Sequence, residues 1–323
     1  MDTPRTLLEA VKYFGNADNC LEFLKVRRWP NGVVTCPTCG NAHVRFDQKR
    51  RVWTCNTKHP RRQFSIKVGT IFEDSPLGLD KWLPTVWMIA NCKNGVSSWE
   101  IHRALGVTQK TAWFMLHRIR LAMQDTDGGG KLGGDVEVDE TYIGAKARNM
   151  HVRKKKRIGM SQHALMVGKV AVMGLLQRHP EKGRSKVRVS VVAGRKKTHL
   201  YPTIEKHIAP GTTVHTDTHP SYTDMPADYI HKVINHAEKY VDGQVHTNGC
   251  ENFWSLLKRG LNGTYVSVEP FHLFRYLDEQ AFRFNHRKDM NDADRFSEAI
   301  YGIVGRRLMY KDLIGSTSAP NVP

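Results

Sequence analysis

The chain has 323 residues, enough for two or three domains that each bury a core, and its 40% hydrophobic content excludes a disordered chain. Lys and Arg outnumber Asp and Glu by 49 to 31, a formal +18, and an excess of that size points to a polyanionic partner. The most apolar stretch, near residues 165–176, is broken by Lys169 and too short to span a bilayer, while the N-terminus carries charges where a signal peptide needs its apolar core.

Residues 5–15 and 18–27 read as short helices, with Leu7, Leu8, Val11 and Phe14 on one face. A turn-rich segment follows, from Trp29-Pro30-Asn31-Gly32 to about Thr70. The six cysteines are unevenly spaced, which suits reduced thiols and one metal site better than a disulfide framework. Cys36-Pro-Thr-Cys39-Gly40 is a C-x2-C knuckle, in which the chain folds back and both sulfurs reach one ion. Cys55 and His59 complete four ligands for tetrahedral Zn2+, with His43 as the rival for the fourth place. A closed four-ligand site leaves no position for substrate, so this zinc is structural. Between the two ligand pairs, His43 to Trp53 alternates like a hairpin.

Residues 78–123 are helical in pattern, and within them a helix-turn-helix is expected. Ser97 and Glu100 form a capping box for a helix through Leu105. Ala104 is small where two helices would cross, and Gly106 permits the turn. Thr108 caps the next helix, whose apolar face is Ala112, Met115, Leu116 and Ile119. That leaves Gln109, Lys110, Thr111, Trp113 and His117 on accessible faces suited to groove contacts; a plain helical hairpin is the rival. Glycines at 128–130 and 133–134 make a linker. Strand-like runs at 135–143, 167–177, 186–193 and 212–216, a helical pattern near 197–207, and long ones at 248–261 and 270–286 define one mixed α/β domain. The expected division is N-terminal helices over 1–30, zinc ribbon over 31–75, helix-turn-helix over 76–126, α/β domain over 127–315 and a tail over 316–323.

The strand around Asp139 alternates so that Asp135, Glu137 and Asp139 share one face and Val136 and Val138 the other. Acids so crowded repel one another unless they are solvated or hold a cation. Asp217 ends another strand, and carboxyl ends of strands are where α/β sheets place their sites. Over 248–261, Cys250, Phe253, Trp254, Leu257 and Leu261 make a buried face, with Glu251, Ser255 and Lys258 in one stripe beside it. Helix ion pairs prefer a spacing of three or four residues, so the seven between Glu251 and Lys258 need another reason. A Glu completing a metal site and a Lys gripping a phosphate supply one. His215, His219 and His246 lie near these acids in sequence. Basic segments at 146–157 and 182–197 can neutralise DNA phosphates. Lys154, Lys155, Lys156 and Arg157, together with Arg259, join Gln109, Lys110 and Thr111 as the expected DNA contacts.

The ordered set CPTCG, QFSIKVGTIFEDS, VEVDETYIG, HTDTHPSY, TNGCENFWSLLKRG and RYLDEQAFRFNHR, within residues 20–290, resembles the Merlin-related insertion-sequence transposases. These carry an N-terminal zinc ribbon and a DDE catalytic domain. The resemblance implies an RNase H-like fold, a mixed sheet flanked by helices, as the α/β catalytic domain of a multidomain chain. It maps the DDE residues onto Asp139, Asp217 and Glu251, with Lys258 as the associated basic residue. Some relatives carry Asn as the third residue, which keeps Asn248 and Asn252 as alternatives. The trio would hold two Mg2+ or Mn2+ ions about 4 Å apart, one deprotonating water or a 3′-hydroxyl and the other steadying the leaving oxygen. The resemblance thus implies a DNA transposase acting on terminal inverted repeats and target DNA, as a homodimer or higher oligomer on DNA, in the bacterial cytoplasm at the nucleoid. Two rivals remain: a non-catalytic DNA-binding regulator, and an RNase H-like nuclease that hydrolyses without joining.

Overall fold

The computed structural model describes residues 4–125, 130–144, 153, 169–179, 181, 183–234 and 246–315. In chain order the first elements are α1 (Leu7–Phe14), α2 (Ala17–Arg28), β1 (Val44–Asp47), β2 (Val52–Cys55), β3 (Gln63–Ser65), α3 (Leu79–Asn91), α4 (Ser98–Leu105) and α5 (Gln109–Met123). There follow β4 (Asp135–Gly144), β5 (Lys169–Gln177), β6 (Lys186–Val192), α6 (Lys197–His207), β7 (Thr213–Asp217) and β8 (Ile230–Ile234). The last are α7 (Asn248–Gly260), α8 (Leu273–Asn285), α9 (Asp292–Tyr301) and α10 (Tyr310–Ile314). They divide into two units, Met1–Gln124 with Asp289–Gly315, and Asp125–Lys288.

In the first unit, helix starts are set by side-chain caps: Thr6 accepts from the Glu9 amide and Asn16 from the Asp18 amide. Of the apolar stripe on α1 only Phe14 is buried, while Leu7, Leu8 and Val11 are exposed. β1, β2 and β3 form an antiparallel sheet on which Trp29, Trp53 and Phe64 stack. The capping box of Ser97 and Glu100 starts α4, Gly106 ends it at φ +62°, and Thr108 caps α5. Ala112, Met115, Leu116 and Ile119 are buried, as their spacing predicts. Two details differ from the sequence reading. Ala104 is exposed, the buried side chain of α4 being Ile101. His117 is fully buried, because α3, α4 and α9 all pack on α5 and leave little of it accessible.

The return of α9 to this unit also departs from the expected 127–315 domain. Its Phe296 is fully buried against Phe14, Phe23 and Trp87, with ring centroids 5.7, 5.5 and 5.1 Å away. Truncating such a ring costs about 3–5 kcal/mol. Backbone bonds from the Ile71 amide to the Ile303 carbonyl (3.0 Å) and from the Gly305 amide to the Gly69 carbonyl (2.9 Å) fix the following segment.

The second unit is built on a five-stranded sheet in the order β6-β5-β4-β7-β8. β5 and β6 run antiparallel beside β4, whereas β7 and β8 run parallel on its other edge. The alternation along β4 sends Val136 and Val138 into a core with Leu200, Tyr201 and Ile204 of α6 and with Tyr222. On the opposite face, Val172 and Leu176 pack with Cys250, Phe253, Trp254 and Leu257 of α7 and Leu273, Leu277 and Phe284 of α8. A mixed sheet of this order with helices on both faces is an RNase H-like arrangement, as the resemblance implies. β8 has no counterpart among the expected strands. It lies at the sheet edge, where Ile230 and Val233 are exposed and give no buried alternation.

Candidate active site and metal centre

The ribbon gathers the predicted zinc ligands. Gly40, at φ +73°, lets the knuckle turn so that its amide meets the Cys36 carbonyl at 2.8 Å. Cys55 stands at the end of β2, and ligand atoms of Cys36, Cys39, Cys55 and His59 all lie within 4.8 Å of one another. His59 turns Nε2 toward the Cys36 sulfur (3.5 Å) while Nδ1 lies 2.6 Å from the Pro60 carbonyl, the outer contact that orients a ligating imidazole. Three thiols and one imidazole at this spacing suit tetrahedral Zn2+. His43 is exposed and outside the cluster.

On the helix-turn-helix, Lys110 is exposed with its ammonium 4.6 Å from the Tyr310 ring, and Gln109 donates to Ser98 Oγ at 2.9 Å. Thr111 and Trp113 are half-buried, and only His117 of the expected accessible set is buried outright. Lys154, Lys155, Lys156 and Arg157 lie outside the described residues. Arg259 and Lys258 are exposed on α7. The basic run around β6 is less available to phosphate than its sequence suggests. Arg188 pairs with Asp125 at 3.5 Å, Lys197 with Asp224 at 3.4 Å, and Arg195 with two acids described next.

β4 and β7 are parallel neighbours with Glu137 opposite His215. Continuing that register by two residues puts Asp139, in the middle of β4, beside Asp217 at the end of β7, on one face of the sheet. Asp139 Oδ2 accepts the Trp254 indole N–H at 2.8 Å. That indole lies on Gly174, the residue paired with Asp139 in β5, where a Cβ would stand 2.7 Å from the ring. Asp217 accepts from the His219 amide at Oδ1 (3.0 Å) and from Arg195 Nη2 at Oδ2 (3.2 Å). The same guanidinium donates Nε to Glu140 Oε2 at 2.8 Å, and Tyr222 donates its hydroxyl to Glu140 Oε1.

Burial pushes the Asp139 carboxyl above its ordinary range, and Asp217 adds to this against the Trp254 hydrogen bond. Burial likewise pushes Glu140 up to about 7, with Arg195 opposing and Asp139 and Asp217 adding. Arg195 thus hydrogen-bonds two carboxylates, Asp217 and Glu140, and acts on Asp139 only through its charge. Asp139 and Asp217, hard oxygen donors short of positive charge, suit a Mg2+ or Mn2+ ion, whereas Glu140, opposite Met173, faces the other side of the sheet.

Glu251 is exposed near the start of α7, with Ser255 and Lys258 exposed along the same stripe. Cys250, Phe253, Trp254, Leu257 and Leu261 are buried as expected. Among the described residues, the oxygens of Asp139, Asp217 and Glu251 do not all come within 4.8 Å of one another. Asp217 is near enough to act on the Asp139 carboxyl, while among the described residues Glu251 shares no hydrogen bond with either. His215 instead pairs with Asp135 at 2.7 Å, and His246 with Glu137 at 3.3 Å. The roles of Glu140, Arg195 and Trp254 escaped the sequence reading. Trp254 shows only as a core residue, and Arg195 finds its partners 55 and 22 residues away, with no local signal.

Comparison with known proteins bears on both centres. Residues 15–57 match the transposase zinc-ribbon domain, and residues 131–285 match the ISXO2-like transposase domain. Over 269 residues the chain is 28% identical to the "Uncharacterized protein in transposable element ISH50" of Halobacterium salinarum, covering 78% of this chain and 85% of that protein. No solved structure matches significantly. The ribbon match and the Cys3His cluster together support a structural zinc ion. The chain therefore carries a segment that matches the transposase zinc-ribbon domain, followed by one that matches the ISXO2-like transposase domain.

Proposed function

We propose that this chain is a DNA transposase that binds the terminal inverted repeats of its element and cuts and joins DNA strands at Asp139 and Asp217. The observation that carries this reading is Asp139 in mid-β4 beside Asp217 at the end of its parallel neighbour β7, only partly offset by Arg195, inside a domain that matches a transposase family. Asp139 and Asp217 would hold two divalent cations, Mg2+ or Mn2+, whose chemistry when bound would be to activate a water or 3′-hydroxyl and to stabilise the leaving oxygen. Asp139, held at Oδ2 by Trp254, keeps Oδ1 for a cation. Glu251 completes the ligand set from α7, and Lys258, two turns on, holds a phosphate of the bound strand. Gln109, Lys110 and Thr111 at the start of α5 contact the element end, with Lys154, Lys155, Lys156, Arg157 and Arg259 on the phosphate backbone. A homodimer or larger assembly on DNA brings two ends to one target.

The test uses a duplex containing the element end and, separately, pre-cut ends with a target plasmid. Mg2+-dependent nicking and joined product are expected, each reduced at least about a hundredfold in Asp139→Ala and Asp217→Ala. End binding without nicking in Mg2+ or Mn2+ would make the chain a DNA-binding regulator. Nicking without joined product would make it a nuclease.

A further inference from the structure

A second set of polar contacts lies one step down β4 from the aspartates. Glu137 is only 1% exposed, yet it carries a carboxylate into the interface between β4 and α7. One oxygen accepts from Arg178 Nε at 2.8 Å and approaches His246 Nδ1 at 3.3 Å. The other accepts from the backbone amide of Cys250 at 2.9 Å. Arg178 in turn reaches the His246 ring and carbonyl, so the residues just before α7 are tied to the same carboxylate.

The Cys250 amide belongs to the first turn of α7, where backbone donors have no partner within the helix. The Glu251 amide is the first to find one, at the Thr247 carbonyl (3.0 Å). A residue at the helix start ordinarily caps such donors, but Thr247 makes no side-chain capping bond. Glu137 does so from a strand 113 residues earlier, with its charge at the positive end of the helix dipole. The fit is close: a Cβ at Gly249 would stand 2.8 Å from Glu137 Oε2 and 2.9 Å from Leu176 Cδ2.

We propose that Glu137 is a positioning residue of the carboxylate centre, capping α7 from β4 and so setting the rotation of the helix that presents Glu251. This deepens the transposase reading and rests on it. The geometric reason is that polar contacts one turn apart hold α7 to β4: the Cys250 amide on the Glu137 carboxylate, with the Cys250 thiol 3.7 Å from the Glu137 carbonyl, and the Trp254 indole on Asp139. With side-chain tips about 6 Å from a helix axis, a rotation of about 20° carries a carboxylate about 2 Å. A displacement of that size equals a metal–oxygen bond length, so the rotation of α7 decides whether Glu251 can reach an ion held by Asp139. Close packing at Gly249 and around Trp254 also resists rotation, but a hydrogen bond fixes direction as well as distance. The Glu137 cap is directional.

The experiment is Mn2+ binding by the full-length, zinc-loaded protein, followed by the loss of the free-ion EPR signal, with Asp139→Ala defining the binding that belongs to this centre. Glu137→Ala removes the cap and is expected to weaken Mn2+ about tenfold or more, the range seen when an outer contact to a metal ligand is lost. Glu137→Gln keeps an acceptor for the Cys250 amide and is expected to stay within about threefold of wild type. If Glu137→Ala does not fold, Glu137→Asp, which keeps the charge beside Arg178 but draws the carboxylate back by one methylene, carries the same expectation. Val187→Ala, which thins the same apolar core without touching a polar contact, is expected to lower stability and leave Mn2+ affinity unchanged. Folded Glu137→Ala or Glu137→Asp protein with wild-type Mn2+ affinity overturns the inference while leaving the transposase reading intact. Wild-type protein that neither binds Mn2+ through Asp139 nor nicks element ends overturns both.

Discussion

Replacing Gly174 by Ala tests whether Asp139 is oriented by the indole beside it. An ideal Cβ at this position stands 2.7 Å from Trp254 Cζ2 and 2.8 Å from Cη2. Carbon atoms settle at about 3.5–4.0 Å, so one side must withdraw by about 1 Å. β5 is hydrogen-bonded on both edges, to β4 and to β6, which leaves the ring to move. That movement stretches the 2.8 Å bond from Nε1 to Asp139 beyond hydrogen-bonding length. Overpacking costs about 1–3 kcal/mol and the lost bond to a carboxylate about 1.5–3, while Ala regains about 0.5–1 over Gly within a strand. The expected net loss is about 1.5–5.5 kcal/mol, read as a lower urea midpoint. A carboxylate misplaced by about 1 Å is expected to slow Mg2+-dependent nicking about a hundredfold. Trp254→Phe separates the two effects, since it removes the donor without adding volume. Its expected stability loss is about 1.5–3 kcal/mol for the bond plus the cost of the void left by the smaller ring, with no overpacking. A Gly174→Ala protein with wild-type urea midpoint and nicking rate would refute the argument that the indole orients Asp139.

The zinc site and Glu140 offer two further tests. Under a competing chelator, His59→Ala is expected to release zinc to a metallochromic dye while His43→Ala retains one ion per chain; the opposite pattern would assign the fourth ligand to His43. Glu140 titrates near 7 in the native state against an ordinary 4.5, so between those values the native state keeps a proton that the unfolded chain has released. Its contribution is therefore fullest below pH 4.5 and declines as pH rises to 7, by up to about 3 kcal/mol at 1.36 kcal/mol per unit. In magnesium-free buffer, the unfolding free energy of wild type minus that of Glu140→Gln is expected to fall by about that amount between about pH 5 and pH 8. A difference that does not change with pH would show that Glu140 is not held protonated.

Local codes along this chain are complete in the sequence, because each depends on atoms a few residues apart. The Ser97–Glu100 capping box, the left-handed Gly106, the Cys36–Cys39 knuckle and the buried face of α7 all form as their spacing dictates. So does the alternation of β4, which puts Glu137 and Asp139 toward α7 and Val136 and Val138 toward α6. The expectation that Asp139 and Asp217 share one site rests, in the sequence, on Asp217 ending its strand and on family resemblance. A periodic pattern says which face of an element is covered, but not by what. Tertiary structure alone therefore chose Arg195 as the partner of Glu140 and Asp217, Trp254 as the donor to Asp139, and Glu137 as the cap of α7. It also buried His117, since α5 is covered by several helices at once, and drew α9 back to the first unit around Phe296. In each case the deciding contact joins residues far apart in the chain. Such contacts form only where both partners' surroundings are packed, and no short window of sequence contains that condition.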